Sequence, residues 1–160
     1  MKPLIIFALC LLPLITFAIT RHVSLDGTQT YMSIQMAVNE SLTGDTILVH
    51  PGRYLENINL SNKNGIILAS LEHTTGDSTY ISNTIIDGSS NSSSTILCYE
   101  NTVNCTIRGL SITGGSGYDY FNGISAYQVF GGGIFIDANN SVTLSKLQIF
   151  NNRASSGGGI

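Results

Sequence analysis

Five aromatic side chains crowd into thirteen residues: Tyr118, Tyr120, Phe121, Tyr127 and Phe130. Flat rings stack on the C–H faces of sugars, and a loop carried by a rigid scaffold is a natural place to present them. Tyr118, Tyr120, Phe121 and Tyr127 are therefore the candidate glycan contacts. The alternative is that these rings pack on the base of their own loop. The same stretch contains Gly114-Gly-Ser-Gly-Tyr-Asp-Tyr-Phe-Asn122. It matches the calcium nonapeptide GGxGxDxUx, with Asp119 as the side-chain ligand. Calcium sites of that kind use successive turns, and the chain holds one copy, so no cofactor is expected and calcium at Asp119 is the weaker alternative.

Other residues able to do chemistry are dispersed. Asp87, in Ile-Ile-Asp-Gly, and Asp137, in Phe-Ile-Asp-Ala, read as turn residues. No two carboxylates stand at a spacing that suggests a glycosidase pair. Arg108 and Arg153 read as outward, solvated side chains. His22 and His73 stand alone, and His50 precedes Pro51. No HxxxH or CxxC spacing marks a transition-metal site. No catalytic residue is assigned. Cys98 and Cys105 either close a small loop as a disulfide after export or stack as small hydrophobes in the interior, and strand alternation leaves both open. Sequons occur at Asn39, Asn91 and Asn104, and Asn104 reads rather as part of a turn ladder.

The N-terminus sets the compartment. Lys2, an apolar run from Leu4 to Ile15 and then Thr16-Phe17-Ala18 have the layout of a secretory signal peptide. The run is short for a spanning helix and Pro13 interrupts it. Residues 1–18 are read as the signal and 19–160 as one domain, secreted or held at the outer cell surface, with membrane contact only through the signal or an anchor beyond residue 160. Basic residues are few and scattered in a chain of net charge −3, which argues against nucleic acid as a partner. Charged residues make up only 11%, and Ser, Thr, Asn and Gly fill the gap while Ile, Leu and Val stay frequent. That mixture suits short strands joined by polar turns.

The elements that must position these residues follow from pattern. Ser33 precedes Ile34, Ala37 and Val38 at i, i+3 and i+4, which predicts a helix over 33–42 with Ser33 as N-cap. Strands are expected at Thr46–Val49, Leu55–Leu60, Gly65–Ala69, Asn83–Asp87, Thr95–Tyr99 and Thr106–Ile112. GGGI occurs twice, at Gly131–Ile134 and Gly157–Ile160, 26 residues apart. Thr106–Ile112 aligns with Thr143–Ile149 at an offset of 37. Such periods mark stacked repeats. The difference places an insertion in one coil, over Gly114–Phe130. The second GGGI is read as the start of an interrupted coil, so the domain is expected to be truncated at its C-terminus.

Tyr31–Val38, then Gly44-Asp-Thr-Ile-Leu-Val-His-Pro-Gly-Arg-Tyr54, then Ile85-Ile-Asp-Gly88, resemble the opening of right-handed parallel β-helix proteins of the pectin-lyase-like class. Asn104–Ile112 is similar to the coil signature of that class, Asn-x-x-Ile-x-x-Leu-x-Ile. Ile149–Ile160 resembles repeats of bacterial surface β-helices, including polymorphic outer-membrane proteins. The resemblance implies an all-β solenoid with a short N-terminal capping helix. It also implies a class that includes polysaccharide lyases, hydrolases and esterases. Without a catalytic motif, the expected function is a non-catalytic secreted or surface β-helix for adhesion or contact with polysaccharide or host glycans. The alternative is the N-terminal part of a polysaccharide lyase or hydrolase whose catalytic coils lie beyond residue 160.

Overall fold

The computed structural model describes residues 17–121 and 127–160. Residues 1–16, which carry most of the expected signal peptide, lie outside the described residues. Among the described residues, no helix is long and apolar enough to cross a membrane. In chain order the elements are β1 (Thr20–Val23), α1 (Ile34–Glu40), β2 (Thr46–Val49), β3 (Gly52–Tyr54), β4 (Ile58–Asn59), β5 (Ile67–Ser70), α2 (Glu72–Thr75) and α3 (Thr79–Asn83). Then follow β6 (Thr84–Asp87), β7 (Ile96–Cys98), β8 (Cys105–Arg108), β9 (Ser111–Thr113), β10 (Tyr118–Phe121), β11 (Tyr127–Phe130), β12 (Ile134–Ile136), β13 (Val142–Ser145) and β14 (Gln148–Ile149).

Twelve of the strands form three sheets, in the orders β1-β2-β5-β8-β13, β3-β6-β9-β14 and β4-β7-β12. Every pairing in them is parallel. Successive side chains of a strand point to opposite faces, so each sheet sends alternate residues into one shared interior. The inward rows are aliphatic apart from Tyr54: Ile47–Leu68–Ile107–Leu144 in the first sheet, Tyr54–Ile86–Ile112–Ile149 in the second and Ile58–Ile96–Ile134 in the third. All except Leu144 and Ile149, in the last coil, are buried. Burying each aliphatic side chain contributes about 1.5–3 kcal/mol. Like therefore stacks on like from coil to coil, and the parallel register holds one face inside.

The helix α1 closes the N-terminal end of this stack. Ile34, Ala37 and Val38 are buried and join the core cluster. Ser33 caps it, its Oγ accepting from Met36 N–H at 3.3 Å. The Glu56 carboxylate adds a second cap, accepting from Ile34 N–H at 2.9 Å, Gln35 N–H at 3.0 Å and Ser33 Oγ at 2.8 Å. The helix ends at Glu40, before the expected Leu42, because Leu42 N–H turns away to donate to Asp45 Oδ2 at 3.0 Å.

Both repeat offsets recur as register. Thr106 pairs with Thr143 and Ile112 with Ile149. The two GGGI copies lie one above the other, with Gly132 N–H donating to Gly157 O at 2.9 Å and Ile134 N–H to Gly159 O at 2.9 Å. The insertion holds β10 and β11, which pair antiparallel as a hairpin, Tyr118 opposite Phe130 and Phe121 opposite Tyr127.

Three expectations are corrected. Helices follow β5, at α2 and α3, where only strands and turns were expected. This polar segment has no apolar period. Its local bonds bend it instead: Thr75 Oγ1 donates to Leu71 O at 2.8 Å, and Thr79 N–H donates to Asp77 Oδ1 at 2.9 Å. The expected strand Leu55–Leu60 shrinks to β4, because Glu56 is drawn to the helix terminus. Thr106–Ile112 is two strands with a corner at Gly109, whose φ of +69° places it in the left-handed region. A Cβ there would also lie 2.7 Å from Ser70 Oγ and 3.0 Å from Glu72 Cβ.

Candidate functional site

The hairpin is anchored at its base by Ser116 N–H donating to Ser93 O at 2.9 Å and Ser155 N–H to Val129 O at 2.9 Å. Its first residue, Tyr118, does not stand free. Its ring lies 5.1 Å from Phe135 and 5.8 Å from Tyr99, tilted by 40° to each. Phe135 falls between the inward residues Ile134 and Ile136, so it faces out from the third sheet. Tyr99, Tyr118 and Phe135 thus form an aromatic shelf on the outer flank of the solenoid, with Tyr99 and Tyr118 half-exposed. Such tilted ring pairs add about 0.5–1.5 kcal/mol each beyond area burial. Tyr118 therefore packs on the base of its own loop as well as facing outward. The backbones of Tyr120, Phe121 and Tyr127 belong to the hairpin strands, but their side chains lie outside the described residues. Asp119 is exposed. Beside the hairpin base, Ser116, Val129, Arg153, Ala154 and Ser155 line a cleft of about 340 Å³.

The buried carboxylates are all engaged. Glu72, whose side chain is 0% exposed, accepts from Arg108 Nε at 2.9 Å and Lys146 Nζ at 2.5 Å. Hydrogen bonds from Arg108 and Lys146 hold its carboxyl below the ordinary glutamate range. Arg108, expected to be solvated, is thus one arm of a buried cluster: it projects from the outer face of β8, and α2 brings Glu72 against it. Asp87 receives Arg53 through Nε at 2.8 Å and Nη2 at 2.5 Å, and Ser89 N–H at 3.0 Å. Burial raises its pKa, but the Ser89 and Arg53 bonds outweigh burial and the net shift is downward. The turn role expected for Asp87 is present, as the cap of the short turn Gly88–Ser90, and the ion pair to Arg53 adds to it. Asp45 accepts from Ile19 N–H at 2.9 Å, Leu42 N–H at 3.0 Å and Arg21 Nε at 3.0 Å. Burial opposes these bonds and they prevail, so its pKa is also lowered. Asp137 makes a turn through its backbone, its carbonyl accepting from Asn140 Nδ2 at 2.9 Å.

His22 is not alone. Its Nδ1 lies 3.0 Å from Nε2 of His50. Cys98 and Cys105 are free and buried, so the interior placement, not the disulfide, describes them here. Burial pushes the Cys98 thiol up to about 12 and raises that of Cys105. Asn104 takes positive φ and pairs with the next coil, its N–H donating to Ser141 Oγ at 2.8 Å.

Sequence reasoning missed Glu56, Glu72 and the His22–His50 pair. Asp45 had a signal in Gly44-Asp-Thr-Ile. Glu72 had none, since its partners lie 36 and 74 residues away.

No protein-family profile matches the chain, and no curated protein matches it. Solved structures do. A point mutant of a pectin methylesterase in complex with hexasaccharide IV superposes with a TM-score of 0.56 at 14% identity, covering 85% of this chain and 44% of that one. A pectin methylesterase in complex with hexasaccharide VII gives 0.54 at 14% identity, covering 81% and 42%. The fold they share with this chain is a right-handed parallel β-helix. The chain spans less than half the length of the solved structures it matches.

Proposed function

We propose that this β-helix is a secreted or cell-surface protein that contacts glycans without transforming them. The observation that carries the reading is the aromatic shelf of Tyr99, Tyr118 and Phe135, continued by an aromatic-rich hairpin on the outer flank. Stacked rings beside a cleft with an exposed Arg153 offer sugar faces a platform and polar groups a hydrogen-bond donor. The engagement of Glu72, Asp87 and Asp45 by cations and amides supports the non-catalytic part. A general acid must give up and regain a proton and a nucleophile must reach its substrate, whereas these three carboxylates are buried and tied to cations. The N-terminal segment from Lys2 to Ala18 supports export.

A second reading is favoured by the likeness to pectin methylesterases bound to hexasaccharides. In it, this chain opens a carbohydrate-active enzyme whose catalytic residues stand on coils beyond Ile160. Clustered Asp or Arg on successive outward strand positions there would support it.

Affinity electrophoresis against a panel of pectic and neutral polysaccharides tests the proposal. The chain should be retarded by at least one polymer. A version with Tyr118–Phe130 replaced by a short Gly-Ser link should lose that retardation while keeping its circular dichroism. Equal retardation of both versions would overturn the hairpin's role.

A further inference from the structure

His22 lies in β1, the outermost strand of the first sheet. His50 follows β2 and is tied to the same edge by its N–H donating to Val23 O at 2.9 Å. The rings are 5.3 Å apart at a 60° tilt and both are half-exposed. Nδ1 of His22 and Nε2 of His50 meet at 3.0 Å, sharing one proton. That separation also suits a different bridge. With metal–nitrogen bonds of about 2.0–2.1 Å, two nitrogens 3.0 Å apart subtend roughly 94° at the ion. This is the cis angle of a tetragonal field. A tetrahedral ion would hold its nitrogens about 3.3–3.4 Å apart. Square-planar or tetragonal nitrogen sites select Cu(II) and Ni(II), and Cu(II) binds most tightly in the divalent series.

We propose that His22 and His50 form a bidentate site for a tetragonal divalent ion, Cu(II) above all, on the N-terminal edge of the solenoid. Binding needs a lone pair on both facing nitrogens. The ring that donates the shared proton therefore changes tautomer, its hydrogen moving to the distal nitrogen, and two neutral rings lose no net proton. The negative charge of the nearby Asp26 carboxylate favours a cation at the pair. Water completes the coordination.

Titration of the full chain with Cu(II), followed by electron paramagnetic resonance, tests this. One equivalent should bind with hyperfine coupling to two imidazole nitrogens. His22→Ala and His50→Ala should each weaken binding at least about tenfold, while His73→Ala should leave it unchanged. Should an alanine variant fail to fold, histidine-ring NMR of the unaltered chain decides: substoichiometric Cu(II) should broaden His22 and His50 before His73. Equal affinity in the His22→Ala/His50→Ala double variant, or first broadening at His73 or the N-terminal amine, would overturn the assignment.

Discussion

Glu72 commits a charge to the interior of this chain. Its side chain is fully buried, yet two cations reach it, Arg108 from β8 and Lys146 beside β13. The cluster therefore ties three successive coils together. Its strength lies in pairing, since a buried charge without a partner is costly. Glu72→Gln keeps the shape and removes the charge. Arg108 and Lys146 are part-exposed and regain water, so the expected loss is about 2 kcal/mol, below that of stranding a fully buried ion. The urea midpoint checks it, and a change under about 0.5 kcal/mol would show the cluster to be incidental. The same group sets acid sensitivity. A folded pKa held below the unfolded one gives stability that is present above the unfolded value, about 4.3, and lost as pH falls through the folded value. Asp45 and Asp87 shift the same way. Melting temperature should therefore fall steeply below pH 4, and the Glu72→Gln variant should show a shallower fall. None of this was legible at the level of single residues. Glu72 sits in a polar stretch without periodicity, and its partners become neighbours only through the coil register.

The capping helix and the strand rows were legible, because each follows a local pattern. Ile34, Ala37 and Val38 mark one helical face, and Gly44-Asp-Thr-Ile opens a strand whose inward residues continue coil after coil. The corner at Gly109 and the helices α2 and α3 were not, since they answer to contacts with other coils and to side-chain bonds within a polar loop. The cap tests this division. Ser33→Ala should cost about 1 kcal/mol. Glu56→Ala should cost more, because one carboxylate satisfies two helix amides and the Ser33 hydroxyl. Denaturant melts of both variants measure it, and an Ser33→Ala loss exceeding that of Glu56→Ala would contradict the arrangement. The glycine ladder is stricter. A Cβ at Gly115 would sit 1.9 Å from Gly132 O and 2.6 Å from Thr95 Oγ1. Gly115→Ala must therefore push coils apart, and an expected loss of about 3 kcal/mol should appear in its thermal melt.

Across the whole molecule, parallel stacking leaves an edge at the last coil. Among the described residues, β13 pairs only with β8 and β14 only with β9, and Leu144, Leu147 and Ile149 are partly covered. Solenoids need a capping repeat over such an edge, and an open one templates association. Residues 19–160 produced alone should scatter light increasingly with concentration. A monodisperse, cooperatively melting monomer would show that this edge is tolerated. The fold was legible because repeats, turn residues and aliphatic rows all agree on one architecture. The site was less so, because the hairpin's setting depends on Phe135 and Tyr99 arriving from other strands. The central claim is glycan contact without turnover, and saturation-transfer NMR on a mixture of the protein with pectic oligosaccharides tests it in one measurement. Saturation should pass to sugar protons while the oligosaccharide spectrum stays unchanged over hours. New signals from methanol, unsaturated ends or reducing ends, or the absence of any transfer, would contradict the account.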